Sequence, residues 1–288
     1  MPPGFLLRAC PAKRKPCGMV TTQHPQFLAS SLKWQRARDV TGGEDRVKAA
    51  GELYLPKLTD QSPDEYHAYK SRALFFNASS RTVEAFTGMI FRKEPTEELP
   101  AELDDFKADA NLHGQSFFDY QKAIIREVLT VGRAGTLVDW SDDEARPYVA
   151  RYEAEQILNW KTGRVGGKTV LTLVVLKESV DADEIRRLEG KTGQAPAAGK
   201  PDVKRSGGKT FNTRAETGPT DEGVAAGEFK HTMKEQIRVL RLDQSSGDPV
   251  YTVDIWRKDA AGKFSKVLTI LPKRREAIPL IPFVFHGP

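Results

Sequence analysis

Ser62-Pro63-Asp64-Glu65, followed by Tyr66, Tyr69, Ala73, Phe76, Ser80, Val83, Thr87 and Ile90, is the stretch whose reading decides the fold. Ser62 suits a helix N-cap and Pro63 the first helical position, where a missing N–H costs nothing. Asp64 and Glu65 suit the positive end of the helix dipole. From Tyr66 onward, apolar or small residues recur at alternating spacings of three and four. That heptad-like seam predicts a single helix of about 25 residues with one face in need of a partner. Tyr66, Tyr69, Ala73, Phe76, Val83 and Ile90 are the candidate packing residues, and small Ala73 and Ser80 would allow close approach. The partner is either the subunit's own core or a neighbouring copy. Gly88 and Pro95 bracket the end of the seam.

Upstream, Phe27–Arg38 reads as a helix, Gly42-Gly43 as a break, and Glu44–Leu53 as a second short helix. Downstream, Phe117, Tyr120, Ile124, Val128 and Val131 share one face of a helix from Ser116 to Val131. Gly132 and Gly135 end it and lead into a strand reaching Trp140. Arg146–Tyr152 reads as a strand, Glu153–Asn159 as a short helix, and Val170–Glu178 as a buried strand entered through a turn at Gly163–Gly167. Three further strands, Gln236–Leu242, Val250–Arg257 and Phe264–Leu271, form a meander. Within it Tyr251, Val253 and Ile255 alternate with Val250, Thr252, Asp254 and Trp256, the period of two that a sheet demands. Helices followed by mixed or antiparallel strands give an α+β class.

The chain has 288 residues with a net charge of +5, and 39% of its residues are hydrophobic. A chain this long builds a core without disulfide or metal staples. The two cysteines, Cys10 and Cys17, fit neither a redox pair nor a zinc knuckle, which favours a reducing compartment. No apolar run approaches the roughly 20 residues of a membrane-spanning helix. Four regions follow: a basic, disordered extension at 1–18, a helical and α/β region at 19–180, a Gly-rich flexible insertion at 181–235, and the meander at 236–288. Met19 begins the ordinary sequence, so the true start is expected there.

Several motifs suggest chemistry and fall short of it. Gly163-Arg164-Val165-Gly166-Gly167-Lys168-Thr169 resembles a P-loop, but it is one residue too short and leads into a strand instead of a helix. The other Gly-Gly-Lys-Thr run, Gly207–Thr210, lacks the upstream glycine. Gly114-Gln115-Ser116 lacks the closing glycine of a nucleophile elbow. Glu228 and Lys230 mimic part of a nuclease carboxylate–lysine set, in a segment too rich in Gly and Ala to hold a cation rigidly. Five histidines, at 24, 67, 113, 231 and 286, have no metal-ligand spacing. Lys70, Arg72, Arg81, Arg92 and Lys93 flank the seam and read as solvated charges or intersubunit pairs. The four tryptophans, 34, 140, 160 and 256, read as dispersed core anchors. No catalytic, cofactor or metal residue is assigned, and a non-enzymatic protein is expected.

The runs Glu65–Asn77 and Arg81–Pro95 resemble an uncharacterised family of tailed-bacteriophage head proteins related to portal proteins. Tyr54-Leu55-Pro56-Lys57, Gly132–Asp139, Arg146-Pro147-Tyr148, Tyr152–Trp160 and Ile281-Pro282-Phe283 agree with it in order. The resemblance covers about residues 34–180 closely and 236–288 more loosely. It implies a portal wing-like region, with the long helix packed on the sheet and the stem and clip regions expected beyond Pro288, so that the chain reads as a C-terminally truncated copy. It further implies a homo-oligomeric ring, a dodecamer at full length, at one capsid vertex. Partners would be terminase, head–tail adaptor proteins, the capsid and double-stranded DNA bound without sequence preference. Location would be the virion, and the bacterial host cytoplasm during assembly. Alternatives from other classes are a phosphate-handling enzyme using Lys168, a nuclease using Glu228 and Lys230, and a nucleic-acid-binding module using Lys13, Arg14 and Lys15.

Overall fold

A computed structural model describes residues 19–141, 143–182, 185, 232–243, 249–259, 261–271 and 278–287. The chain is α+β. Its helices are α1 (Pro25–Gly42), α2 (Glu44–Ala49), α3 (Pro63–Arg72), α4 (Ala78–Ile90), α5 (Asp104–Ala108) and α6 (Phe117–Val131). Its strands are β1 (Ala134–Ser141), β2 (Arg146–Glu153), β3 (Ile157–Val165), β4 (Lys168–Asp181), β5 (Met233–Asp243), β6 (Val250–Lys258), β7 (Phe264–Ile270) and β8 (Phe283–His286). They form an antiparallel three-stranded sheet, β2-β1-β8, and a five-stranded meander, β3-β4-β5-β6-β7.

Strand alternation sorts the large sheet into two apolar faces. Val174 pairs with Leu240 and Leu240 with Val253, and these share a core with Leu137, Tyr152 and Phe283 of the small sheet. One residue along, Val175 pairs with Val239, and their side chains emerge opposite, against Phe27 and Trp34 of α1. The far side of the small sheet, at Ala134 and Val149, is covered by Tyr120 and Ile124 of α6. The expected alternation of Tyr251, Val253 and Ile255 is present, and all three are buried in the core between the sheets.

Polar groups tie the layers together. Tyr120 Oη lies 2.7 Å from Thr136 Oγ1, which lies 2.8 Å from His286 Nε2, so a chain of hydroxyls and imidazole pins α6 to β1 and β8. Between the sheets, Arg238 contacts Glu178 of β4 and Asp139 of β1. Tyr152 donates to Glu178 at 2.5 Å and Gln236 donates to it at 2.8 Å. Arg238 Nη1, Tyr152 and Gln236 are satisfied in this way, which is what makes their burial tolerable. Arg238 Nε is close to Glu178 without the alignment of a hydrogen bond.

Four expectations change. The single long helix is two: the chain is extended at Ala73 (ψ 130°), and α4 begins anew behind Asn77, whose side chain accepts from Ser80 N. The longest described helix is instead α1, and it supplies the cover for the large sheet. Glu153–Asn159 is not a helix; a single 3-10 turn at Ala154–Gln156 precedes β3, because Ile157 and Leu158 bury on opposite faces of that strand. The turn after it is narrower than expected: Gly166 and Gly167, at φ +55° and +80°, join β3 to β4 in the left-handed conformation a tight hairpin requires. The tryptophans also divide. Trp34 is buried in the core, whereas Trp140 is 45% exposed.

Candidate interaction surface

α3 is locally well specified. Ser62 Oγ accepts from Glu65 N, and Glu65 returns the contact to Ser62 N at 2.8 Å, a capping box reinforced by Pro63. The helix is fastened to the body through polar contacts: Tyr66 donates its hydroxyl to Leu55 O at 2.8 Å, and Lys48 Nζ reaches Ser71 O at 3.1 Å. No residue of α3 or α4 is buried.

The break at 73–77 has a physical cause. Asn77 caps α4 and also donates from Nδ2 to Thr41 O at the end of α1, at 3.1 Å. Holding Asn77 there frees the preceding segment to run extended. Ala73, Leu74 and Phe75 then line a 220 Å³ apolar cleft with Val40, Val47 and Leu55.

The break also divides the six predicted seam residues. Tyr66, Ala73 and Val83 are half-buried and turn toward the body. Tyr69, Phe76 and Ile90 lie outward, Phe76 at 72% exposure and Ile90 at 52%. Two residues that the seam did not include join the outward set, Phe86 at 50% and Met89 at 70%, with Leu74 almost wholly exposed in the linker. Phe86, Met89 and Ile90 follow the three- and four-residue spacing of one helical stripe. Each would gain on the order of 1–2 kcal/mol if covered.

The rim of this stripe is basic. Arg81 stacks over the Phe76 ring at 5.1 Å, and Lys70 lies 5.2 Å from the Tyr66 ring. Arg92 and Lys93 are exposed and follow α4 directly. Glu84, the acid within α4, sits 3.8 Å from Arg126 of α6. Beyond Lys93 the sign reverses: Glu94, Glu97, Glu98, Glu102, Asp104 and Asp105 follow with no base among them. Among them Asp104 is paired within the chain, 3.5 Å from Lys107.

Other clusters have internal explanations. Glu127, Glu153 and Glu155 bring carboxylates together, and Arg38 occupies the space between them, 2.6 Å from Glu155 and 2.5 Å from Glu127. Burial opposes ionisation of Glu155, but the hydrogen bonds and charge of Arg38 outweigh it and hold that carboxyl below its usual range. His24 caps α1 and stacks on Trp160 at 3.8 Å; burial, then the nearby Arg133, pull its imidazole below the usual value. Lys168 is the exposed first residue of β4, behind a hairpin turn with no helix N-terminus to face a phosphate. Glu228, Lys230, Gly207–Thr210, His231 and Lys13–Lys15 lie outside the described residues.

No family model matches this chain, and no curated protein matches it.

Proposed function

We propose that this chain is a structural subunit of a tailed-phage head, a portal-like protein that assembles with copies of itself into a ring at one capsid vertex. The reading is carried by the apolar stripe of α4. Phe86, Met89 and Ile90 are half or more exposed, on the face of α4 turned away from α1 and α6. Such a stripe is costly for a monomer and expected of a protein that completes its packing in an assembly. It also falls within Arg81–Pro95, one of the two runs that carry the resemblance to portal relatives. In this reading double-stranded DNA passes through the ring without base-specific contact, terminase drives it, and adaptor proteins join the tail.

Electron microscopy of the purified chain, with native mass measurement across a concentration series, tests the proposal. Closed rings of one subunit number support it. A monomer at all concentrations, or open fibres only, would overturn it.

A further inference from the structure

We infer that the α4 stripe and its basic rim form one half of a head-to-tail contact between copies of this chain, and that the acidic segment Glu94–Asp105 of the next copy forms the other half. The inference rests on the assembly reading above in that both require self-association. The pairing itself comes from the charges and exposures of this surface.

Between Tyr66 and Lys93 there are five basic side chains, Lys70, Arg72, Arg81, Arg92 and Lys93, against a single acid, Glu84. Glu84 already lies beside Arg126. Between Glu94 and Asp105 there are six acids and no base. The two surfaces are adjacent in sequence, yet among the described residues no ion pair joins one to the other. Arg81 and Lys70 lean on aromatic rings, and Asp104 pairs with Lys107. Lys70 and Glu97 are half-buried, and the other charges of both surfaces are exposed.

The charge excess of each surface decides the geometry of association. A two-fold contact centred on the α4 stripe would place its basic rim against itself, and like charges brought together cost several kcal/mol. A head-to-tail contact places it against the opposite sign. Phe86 and Met89 then supply the apolar centre and Arg92 and Lys93 the rim, the usual division of a protein interface. Double-stranded DNA would also answer the basic charge. It would leave Phe86 at 50% and Met89 at 70% exposure without an apolar partner, so a protein surface is the better fit.

The full chain, three variants and a chain combining the four charge reversals test this by sedimentation velocity at low salt. One variant carries Arg92→Glu with Lys93→Glu, the second Glu98→Lys with Glu102→Lys, and the third Phe86→Ser. All five positions are exposed, so folding is expected to survive, and circular dichroism checks it. Each variant alone should self-associate roughly tenfold or more weakly than the parent. In an equimolar mixture of the two charge variants every contact between unlike subunits pairs opposite charges, so the mixture should assemble as alternating subunits where neither variant does so alone. A chain carrying all four reversals should recover assembly.

Equal assembly by all variants, no recovery of assembly in the mixture, or a parent chain that never self-associates would each overturn the contact. So would DNA binding that is lost on reversal of Arg92 and Lys93 while self-association is unchanged. Rings indifferent to the reversals would sink the contact and leave the ring reading standing. Charge-dependent oligomers that never close would do the opposite.

Discussion

Arg238 of the five-stranded sheet reaches Asp139 of the three-stranded sheet, Nη1 to Oδ2 at 2.9 Å, and so bolts the two layers together across their shared core. The same guanidinium places Nε 2.8 Å from Glu178 Oε1, which also receives the Tyr152 hydroxyl. Removing different members should have unequal effects. Arg238→Met removes the cation from two carboxylates, leaving Glu178 only its neutral donors Tyr152 and Gln236, and should cost about 2–4 kcal/mol. Tyr152→Phe leaves Glu178 its contacts with Arg238 and Gln236 and should cost only about 1 kcal/mol. Urea unfolding of both variants measures this; equal losses would show that the network does not act through its charges.

Gly135 is a second point where the sheets are fixed. A Cβ there would stand 2.3 Å from Cζ of Phe283 and 2.9 Å from Cδ1 of Ile157. Both neighbours are buried core residues, so neither has free space to move into. Gly135→Ala should therefore destabilise by about 1–3 kcal/mol through overpacking. Adding Phe283→Leu should recover part of that loss. Thermal unfolding of the single and double variants decides it, and additive losses would exclude a direct clash.

The meander and α6 were legible because local and tertiary preferences agree there. Tyr251, Val253 and Ile255 alternate cleanly, and α6 runs from the Ser116 cap to left-handed Gly132. The helix pair α3–α4 departs from its sequence pattern for the opposite reason. Its spacing of three and four continues in the sequence across residues 73–77, while the chain itself turns extended, and the capping preference of Asn77 decides the local outcome. Glu153 and Gln156 do form a capping box, the true signal behind the expected helix. Burial of Ile157 and Leu158 on opposite faces overrides it. Phe86 and Met89 lie beside the predicted seam and not on it. Apolar residues at 83, 86, 89 and 90 fall within an arc of about 120°, the width of an ordinary core-facing stripe, so the pattern alone does not mark Phe86 and Met89 as exposed.

Asn77 offers a test of the break. Its side chain satisfies Ser80 N at the start of α4 and ties that start to Thr41 O. Asn77→Ala removes both contacts and should cost about 1–2 kcal/mol. Hydrogen exchange should show the first turn of α4 opening faster, with α6 unchanged. Uniform loss of protection across both helices would mean that Asn77 supports the whole body and not the local start.

Stability should fall away on both sides of neutrality, for separate reasons. Hydrogen bonds from Lys177 and Lys258, together with their charges, hold the Glu235 carboxyl below its usual 4.5. Arg38 does the same for Glu155 against the opposing effect of burial. A carboxyl lowered on folding contributes stability above its unfolded value and loses it as pH drops through the folded one. Unfolding free energy should thus begin to decline near pH 4.5, and Glu235→Gln should flatten part of that decline. On the alkaline side, burial and then the charge of Asp139 push the Tyr148 hydroxyl up to about 12. A phenol raised on folding contributes fully below its ordinary value of 10 and loses that contribution as pH rises through the folded value. Tyr148→Phe should reduce the loss seen above pH 10, because the unfolded chain then has one fewer phenol to ionise. Denaturant melts across pH, with absorbance titration of the tyrosines, measure both arms. A Tyr148 that ionises near 10 in the folded protein would show that the space between the sheets is open to water.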